Sequence, residues 1–175
     1  MTQTIIALSG PRACGKSVIA GHLASQHGYT RIAFADALRD VAGITGSPLV
    51  NDRLYLARLG EKLRELIPDF LLQVVQNRLE TIDGAVVIED IRFPSEVEFC
   101  NALGATTVRL EISVETQREN LATRGVQGVD ADLLINCKDE NALNSEENWD
   151  YLIPAVGDFQ VLAAELDLLI RMVNQ

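Results

Sequence analysis

Residues 4–23 read TIIALSGPRACGKSVIAGHL. The run 4–8 is continuously apolar, as a strand buried on both faces requires, and Ser9-Gly10-Pro11 then breaks it. From Gly15 onward Val18, Ile19 and Leu23 recur at helical spacing, so a strand, a glycine loop and a helix follow one another. Between them Gly10-Pro11-Arg12-Ala13-Cys14-Gly15-Lys16-Ser17 fits G-x-x-x-x-G-K-S/T, in the context that the motif needs. Its glycines let the backbone curl until successive N–H groups face phosphate oxygens, and the helix N-terminus adds partial positive charge. Residues 10–18, with Val18 as the last, are the expected nucleotide cradle. Within it Lys16 is expected to reach the β- and γ-phosphates, and the Ser17 hydroxyl to hold Mg²⁺.

Outward from this loop the chain alternates short apolar runs with helical patterns. Strands are expected at 30–34, 85–88, 106–112 and 151–154, and helices at 37–41, 51–66, 70–82, 94–103, 114–123 and 159–173. Residues 125–148 are polar and carry only a weak helical pattern. Buried strands that alternate with helices make an α/β protein with a doubly wound parallel sheet of five strands, expected in the order 2-3-1-4-5. No linker or repeat divides the 175 residues, which are read as one domain, with a helical region at 36–82 and a lid region at 114–148.

Composition excludes several classes. Twenty-five acidic against 15 basic residues give a net charge of −10, which argues against a protein that lives by neutralising nucleic-acid phosphates. Cys14, Cys100 and Cys137 are odd in number and lack a CxxC pair, so neither a disulfide framework nor a structural zinc site is expected. No signal-peptide pattern and no run of 18 apolar residues occurs, so a cytoplasmic location without a membrane partner is expected. A guanine-specific switch needs N-K-x-D after a strand. The string Asn136-Cys137-Lys138-Asp139 has the wrong order and no apolar strand before it, which leaves small phosphotransferases in front.

Acceptor chemistry is sought at the carboxyl ends of the strands beside the loop, where ligands bind in such sheets. Asp36 follows the second strand. It reads either as a group that orients an acceptor oxygen or as an N-cap of the next helix. Glu89-Asp90 ends the third strand; Asp90 is expected to anchor Mg²⁺ through water, and Arg92 to fork onto an acceptor phosphate, or else the two simply pair. The helical region adds Arg53, Arg58 and Arg64, with Gly60 inside a helical pattern where close approach of another group is the reason to expect glycine. Arg118 and Arg124, six apart after the fourth strand, suit a lid that neutralises the charge developing on a transferring phosphoryl group.

These features resemble the deoxynucleoside monophosphate kinase family of P-loop kinases, best represented among bacteriophages. The residues that carry the likeness are GPRACGKS at 10–17, FADALR at 34–39, RLGEKLR at 58–64, VVIEDIRFPSEVEF at 86–99, the QREN…R segment at 117–124 and NSEENWD at 144–150. The resemblance implies ATP and Mg²⁺ as cofactors and a deoxynucleoside monophosphate as acceptor. On it, Asp36, Arg39, Arg58, Arg64, Arg92 and Glu96 lie on the acceptor side, Arg118 and Arg124 belong to the lid, and Lys16, Asp36, Arg118 and Arg124 serve the transfer. The chain departs from the family at Ala155-Val156-Gly157-Asp158, where relatives often carry an Asn-Gly pair near the adenine, and at Asn144, where a histidine often stands.

Two other readings stay open. One is a P-loop kinase that phosphorylates a 5-hydroxymethyl pyrimidine, hydroxymethyluracil, already inside DNA. The net charge and an aromatic content of 5% argue against the electropositive, stacking groove such a substrate wants. The other is a non-enzymatic protein whose surface is ordered by bound ATP. The apolar helices of the 36–82 region also leave a homodimer open.

Overall fold

The computed structural model describes residues 3–155 and 159–173. Five parallel strands form one sheet in the order β2-β3-β1-β4-β5, as the alternation of buried runs and helices predicts: β1 Ile5–Ser9, β2 Thr30–Ala33, β3 Val86–Ile91, β4 Thr106–Glu111 and β5 Tyr151–Pro154. The first strand is central, with Ile5 opposite Val86 on one side and Ile6 opposite Thr106 on the other.

Strand alternation sorts the core into two layers. Ile5 and Ala7 join Ile32 and Ile88 on one face, under α2 (Phe34–Ile44), α3 (Arg53–Leu66), α4 (Phe70–Leu79) and α5 (Pro94–Ala102). Ile6 and Leu8 join Val108 and Leu110 on the other, under α1 (Lys16–His27) and α9 (Phe159–Val173). A smaller cluster packs Leu121 of α6 (Val114–Thr123) with Ala131, Leu134 and Ile135 of α7 (Gly128–Ile135) and with Ala13 of the glycine loop. A one-turn helix, α8 (Lys138–Asn141), follows. Among the described residues no helix is long and apolar enough to cross a membrane.

Four differences from the expected elements have physical causes. The second helix starts at Phe34, three residues early, because the Phe34 amide donates to Asp90 Oδ1 at 3.1 Å, so a carboxylate from β3 caps it across space. Asp36 is consequently not the N-cap but lies within the first turn, where its charge favours the helix dipole. The third strand continues to Ile91 through Asp90 in a left-handed conformation (φ 67°), beside a register shift against β1 between Ala7 and Ser9. Residues 125–148 hold α7 and α8, because the apolar face of α7 finds a partner in α6 rather than in the main core. The α3 start moves to Arg53, since the Asp52 carboxylate accepts the Tyr55 amide at 2.7 Å.

The α1 layer is the support of the glycine loop, and Leu23 is fully buried in it. Leu23→Ala is expected to cost about 3 kcal/mol, measured by chemical denaturation, with the fold retained.

Candidate active site

A cavity of about 580 Å³ opens at the carboxyl ends of β1, β2 and β3. One wall is the glycine loop. Gly10 (φ 139°) admits no side chain, because a Cβ there would lie 2.6 Å from the Leu110 carbonyl oxygen. Ala13 (φ 63°) and Gly15 (φ 101°) complete the curl. The amides of Val18 and Ile19 both donate to Gly15 O, and those of Lys16 and Ser17 are the first of α1, where a helix has no acceptor of its own to offer. Lys16 Nζ donates to Gly10 O at 2.7 Å and Pro11 O at 2.8 Å, with Cys14 Sγ at 3.6 Å. Burial lowers the Lys16 pKa, and nearby Arg92 adds to the effect. Cys14 is buried against this lysine, and Val18 turns outward with 51% exposure.

Behind Ser17 stands a carboxylate whose role the strand pattern does not reveal. The Ser17 hydroxyl donates to Glu89 Oε1 at 2.5 Å, and Arg31 Nε donates to Glu89 Oε2. Glu89 is buried and faces the cavity. Its neighbour Asp90 also lines the cavity, but its Oδ1 accepts the Phe34 amide, and burial pushes its carboxyl up to about 7 despite Arg92 nearby. Of the two adjacent acids, Glu89 is the one that meets the loop hydroxyl.

The opposite wall is rich in arginine. Arg39, Arg53, Arg58, Arg64, Arg92 and Arg124 line the cavity, interleaved with the apolar side chains of Phe34, Leu38, Leu54, Ala57, Leu71 and Phe93. Arg53 is pushed below the usual guanidinium range by partial burial and by the positive charges of Arg124, Arg12, Arg92 and Arg39. Arg39 Nη1 bonds Asp36 at 2.7 Å, and Arg31 lies 3.6 Å from the same carboxylate, so Asp36 steadies two arginines and is not itself among the lining residues. Arg64 lies over the Phe93 ring at 4.1 Å and pairs with buried Glu96 at 2.8 Å. Glu96 in turn accepts the amides of Arg92 and Phe93 and so closes the N-terminus of α5. Burial raises its carboxyl against the pull of Arg64. Gly60 is explained by crowding: a Cβ would meet Arg64 Nη1 at 3.0 Å and Leu38 Cδ1 at 3.1 Å.

Residues 114–148 are tied to the loop by a second buried carboxylate that sequence reading passed over. Glu140 on α8 accepts the Arg12 amide at 2.5 Å, Arg12 Nη1 at 3.0 Å, Arg92 Nη1 at 2.9 Å and Gln117 Nε2 at 2.6 Å. Asp139 holds the other arm of Arg12 at 2.6 Å. Burial opposes the Arg12 charge, but Asp139 and Glu140 outweigh it and raise the pKa. Asn120 Nδ2 of α6 adds a bond to Ala13 O at 2.9 Å. Of the two arginines expected in a lid, Arg124 at the end of α6 lines the cavity, whereas exposed Arg118 bonds Asp132 and ties α6 to α7. The conspicuous NSEENWD stretch acts on the sheet, since Asp150 Oδ2 accepts both Thr107 N and Thr107 Oγ1. The expected adenine-side residues Val156, Gly157 and Asp158 lie outside the described residues, and Ala155 continues the sheet edge by donating to Glu111 O.

Known structures share this architecture at low identity. A gluconokinase from Sinorhizobium meliloti matches with 20% identity and a TM-score of 0.62, over 99% of this chain and 94% of its own. A shikimate kinase from Acinetobacter baumannii, solved with shikimate, matches with 20% identity and a TM-score of 0.63, over 98% and 94%. Another from Bacteroides thetaiotaomicron matches with 16% identity and a TM-score of 0.64, over 96% and 98%. No family model and no curated protein sequence matches the chain. The likeness shows that the chain has the P-loop kinase fold.

Two outcomes follow from the buried carboxyls. Glu140→Ala takes the shared partner from Arg12 and Arg92 and is expected to cost about 3–5 kcal/mol in a denaturation experiment, with Glu140→Gln losing less. Asp90 keeps its proton in the folded state between the usual carboxylate range and about 7, while the unfolded chain has released it. The folded state therefore loses stability as pH rises through that window. Asp90→Asn retains an acceptor for the Phe34 amide and lacks the titration, so its stability relative to the unsubstituted chain is expected to improve from pH 5 to pH 8 in Mg²⁺-free buffer.

Proposed function

We propose that the chain transfers the γ-phosphoryl group of ATP to a deoxynucleoside monophosphate, giving the diphosphate. The observation that carries this reading is the meeting of two walls of cationic and hydrogen-bonding groups across one cavity: Lys16 and Ser17 on the loop side, and Arg53 among five other guanidinium groups on the far side. Cations gathered against their mutual repulsion need an anion to share, and a monophosphate fits between them. The apolar side chains of the far wall offer a flat surface for a base. The choice of a deoxynucleotide rests on the resemblance carried by residues 34–39, 58–64 and 86–99.

The residues present fit a Mg²⁺-bound triphosphate, since Ser17 and Glu89 offer adjoining hard oxygen ligands beside the amides that open α1. When bound, Mg²⁺ neutralises charge across the β- and γ-phosphate oxygens. Lys16, already held in the loop by two carbonyls, has a third hydrogen to give to a phosphate oxygen. Arg39, Arg53 and Arg92 hold the acceptor phosphate in line, and Arg124 meets the charge that develops during transfer. A monophosphate acceptor is largely ionised at neutral pH and needs no general base, so Asp36 serves by orienting Arg39. Arg118 supports the lid through Asp132.

The test is ADP release from Mg·ATP with each deoxynucleoside and ribonucleoside monophosphate, with 5-hydroxymethyl pyrimidine monophosphates and with DNA containing hydroxymethyluracil. Turnover with a free deoxynucleoside monophosphate is expected. Lys16→Ala should lower kcat by about 10³-fold, and Arg53→Ala should raise the acceptor KM by about tenfold or more with a smaller change in kcat. Transfer only to the modified DNA overturns the free-nucleotide reading, and ATP binding without turnover on any acceptor overturns the enzyme.

A further inference from the structure

The two histidines of the chain lie five residues apart near the end of α1, and both are turned toward one carboxylate of α9. His22 Nε2 is 2.9 Å and His27 Nε2 is 2.7 Å from the same oxygen, Asp167 Oδ1. The rings meet edge to face with centroids 5.6 Å apart, and the three potential ligand atoms all lie within 4.8 Å of one another. We propose that His22, His27 and Asp167 bind one divalent transition-metal ion of the zinc type, linking α1 to α9 at a distance from the nucleotide site.

The donor set selects the ion. Two imidazoles and a carboxylate suit Zn²⁺, Co²⁺ or Ni²⁺, whereas Mg²⁺ prefers oxygen ligands alone and has the Ser17–Glu89 pair available to it. Tetrahedral zinc with bonds near 2.0–2.1 Å spaces its ligand atoms about 3.3 Å apart, so the contacts of 2.9 and 2.7 Å to Asp167 need to lengthen by only about half an ångström to admit the ion. Asp167 is held below the usual carboxylate range by its bonds to His22 and His27, which keeps it in the ionised form a metal takes. Side-chain exposures of 14%, 27% and 40% for His22, His27 and Asp167 give an ion a route in and leave a coordination position for water.

His22 and His27 lie six and eleven residues beyond Lys16 along a helix that rises about 1.5 Å per residue, so an ion between them stands roughly 9 to 16 Å from the loop lysine along the axis. Its effect is then on the attachment of α1 to α9 and not on phosphoryl transfer. The proposal therefore stands or falls apart from the kinase reading.

The test uses the full chain, stripped of metal with a chelator and titrated with Zn²⁺ in competition with a chromophoric chelator, alongside His22→Gln, His27→Gln and the double variant. Glutamine keeps a hydrogen-bond donor toward Asp167, and circular dichroism checks the fold. The expected result is one equivalent of Zn²⁺ held by the unsubstituted chain, a Tm that rises with Zn²⁺ and not with Mg²⁺, and affinity lowered by about 10- to 100-fold in each single variant. Zn²⁺ binding that is equal in the double variant assigns the ion elsewhere, for instance to Cys137, and overturns the site. Failure of the unsubstituted chain to compete with the chelator overturns it as well.

Discussion

The carboxylate of Glu140 holds together the parts that make the cavity. It accepts hydrogen bonds from the backbone and side chain of Arg12 in the glycine loop, from Arg92 after β3 and from Gln117 in α6. Three segments far apart in the chain are thus fixed around one buried charge. Asp139 secures the remaining arm of Arg12. The short helix α8, which adds no apolar side chain to the core, is therefore an electrostatic wedge between the loop and α6.

This arrangement reconciles an acidic protein with a basic site. The net charge of −10 belongs to the whole chain, while the cavity gathers seven arginines and Lys16 on its walls. Individual carboxylates steady particular cations: Asp36 for Arg39, Glu96 for Arg64, Glu140 for Arg12 and Arg92. The arginines are consequently held by their partners in fixed orientations, which lowers the entropy lost when they close on a phosphate. Arg53 is the exception in kind, since the charges that shift it are all positive.

Glu89 and Asp90 show how a pair of neighbouring acids separates into different tasks. Ordinary strand alternation would send them to opposite faces, but Asp90 adopts a left-handed conformation at a register shift and reaches sideways to cap α2. That leaves Glu89 beneath Ser17. Arg118 and Arg124 divide similarly: the helix ends at Arg124, which turns into the cavity, while Arg118 one and a half turns earlier is held outside by Asp132.

The sequence by itself determined the strand, loop and helix at 4–23, the α/β class and the five strands, because those follow from apolar runs, glycine placement and local periodicity, whereas their expected order rests on the likeness to a doubly wound kinase fold. It also marked the arginines at 39, 53, 58, 64, 92 and 124 that come to share one cavity. Only the tertiary structure decided which of two adjacent acids meets Ser17, why α2 begins at Phe34, and that Glu140 in a weakly patterned segment is the hub of the site. The physical reason is common to all three: each depends on a carboxylate bonding to groups 48 to 128 residues away, and such a contact leaves no periodic trace in the chain around it.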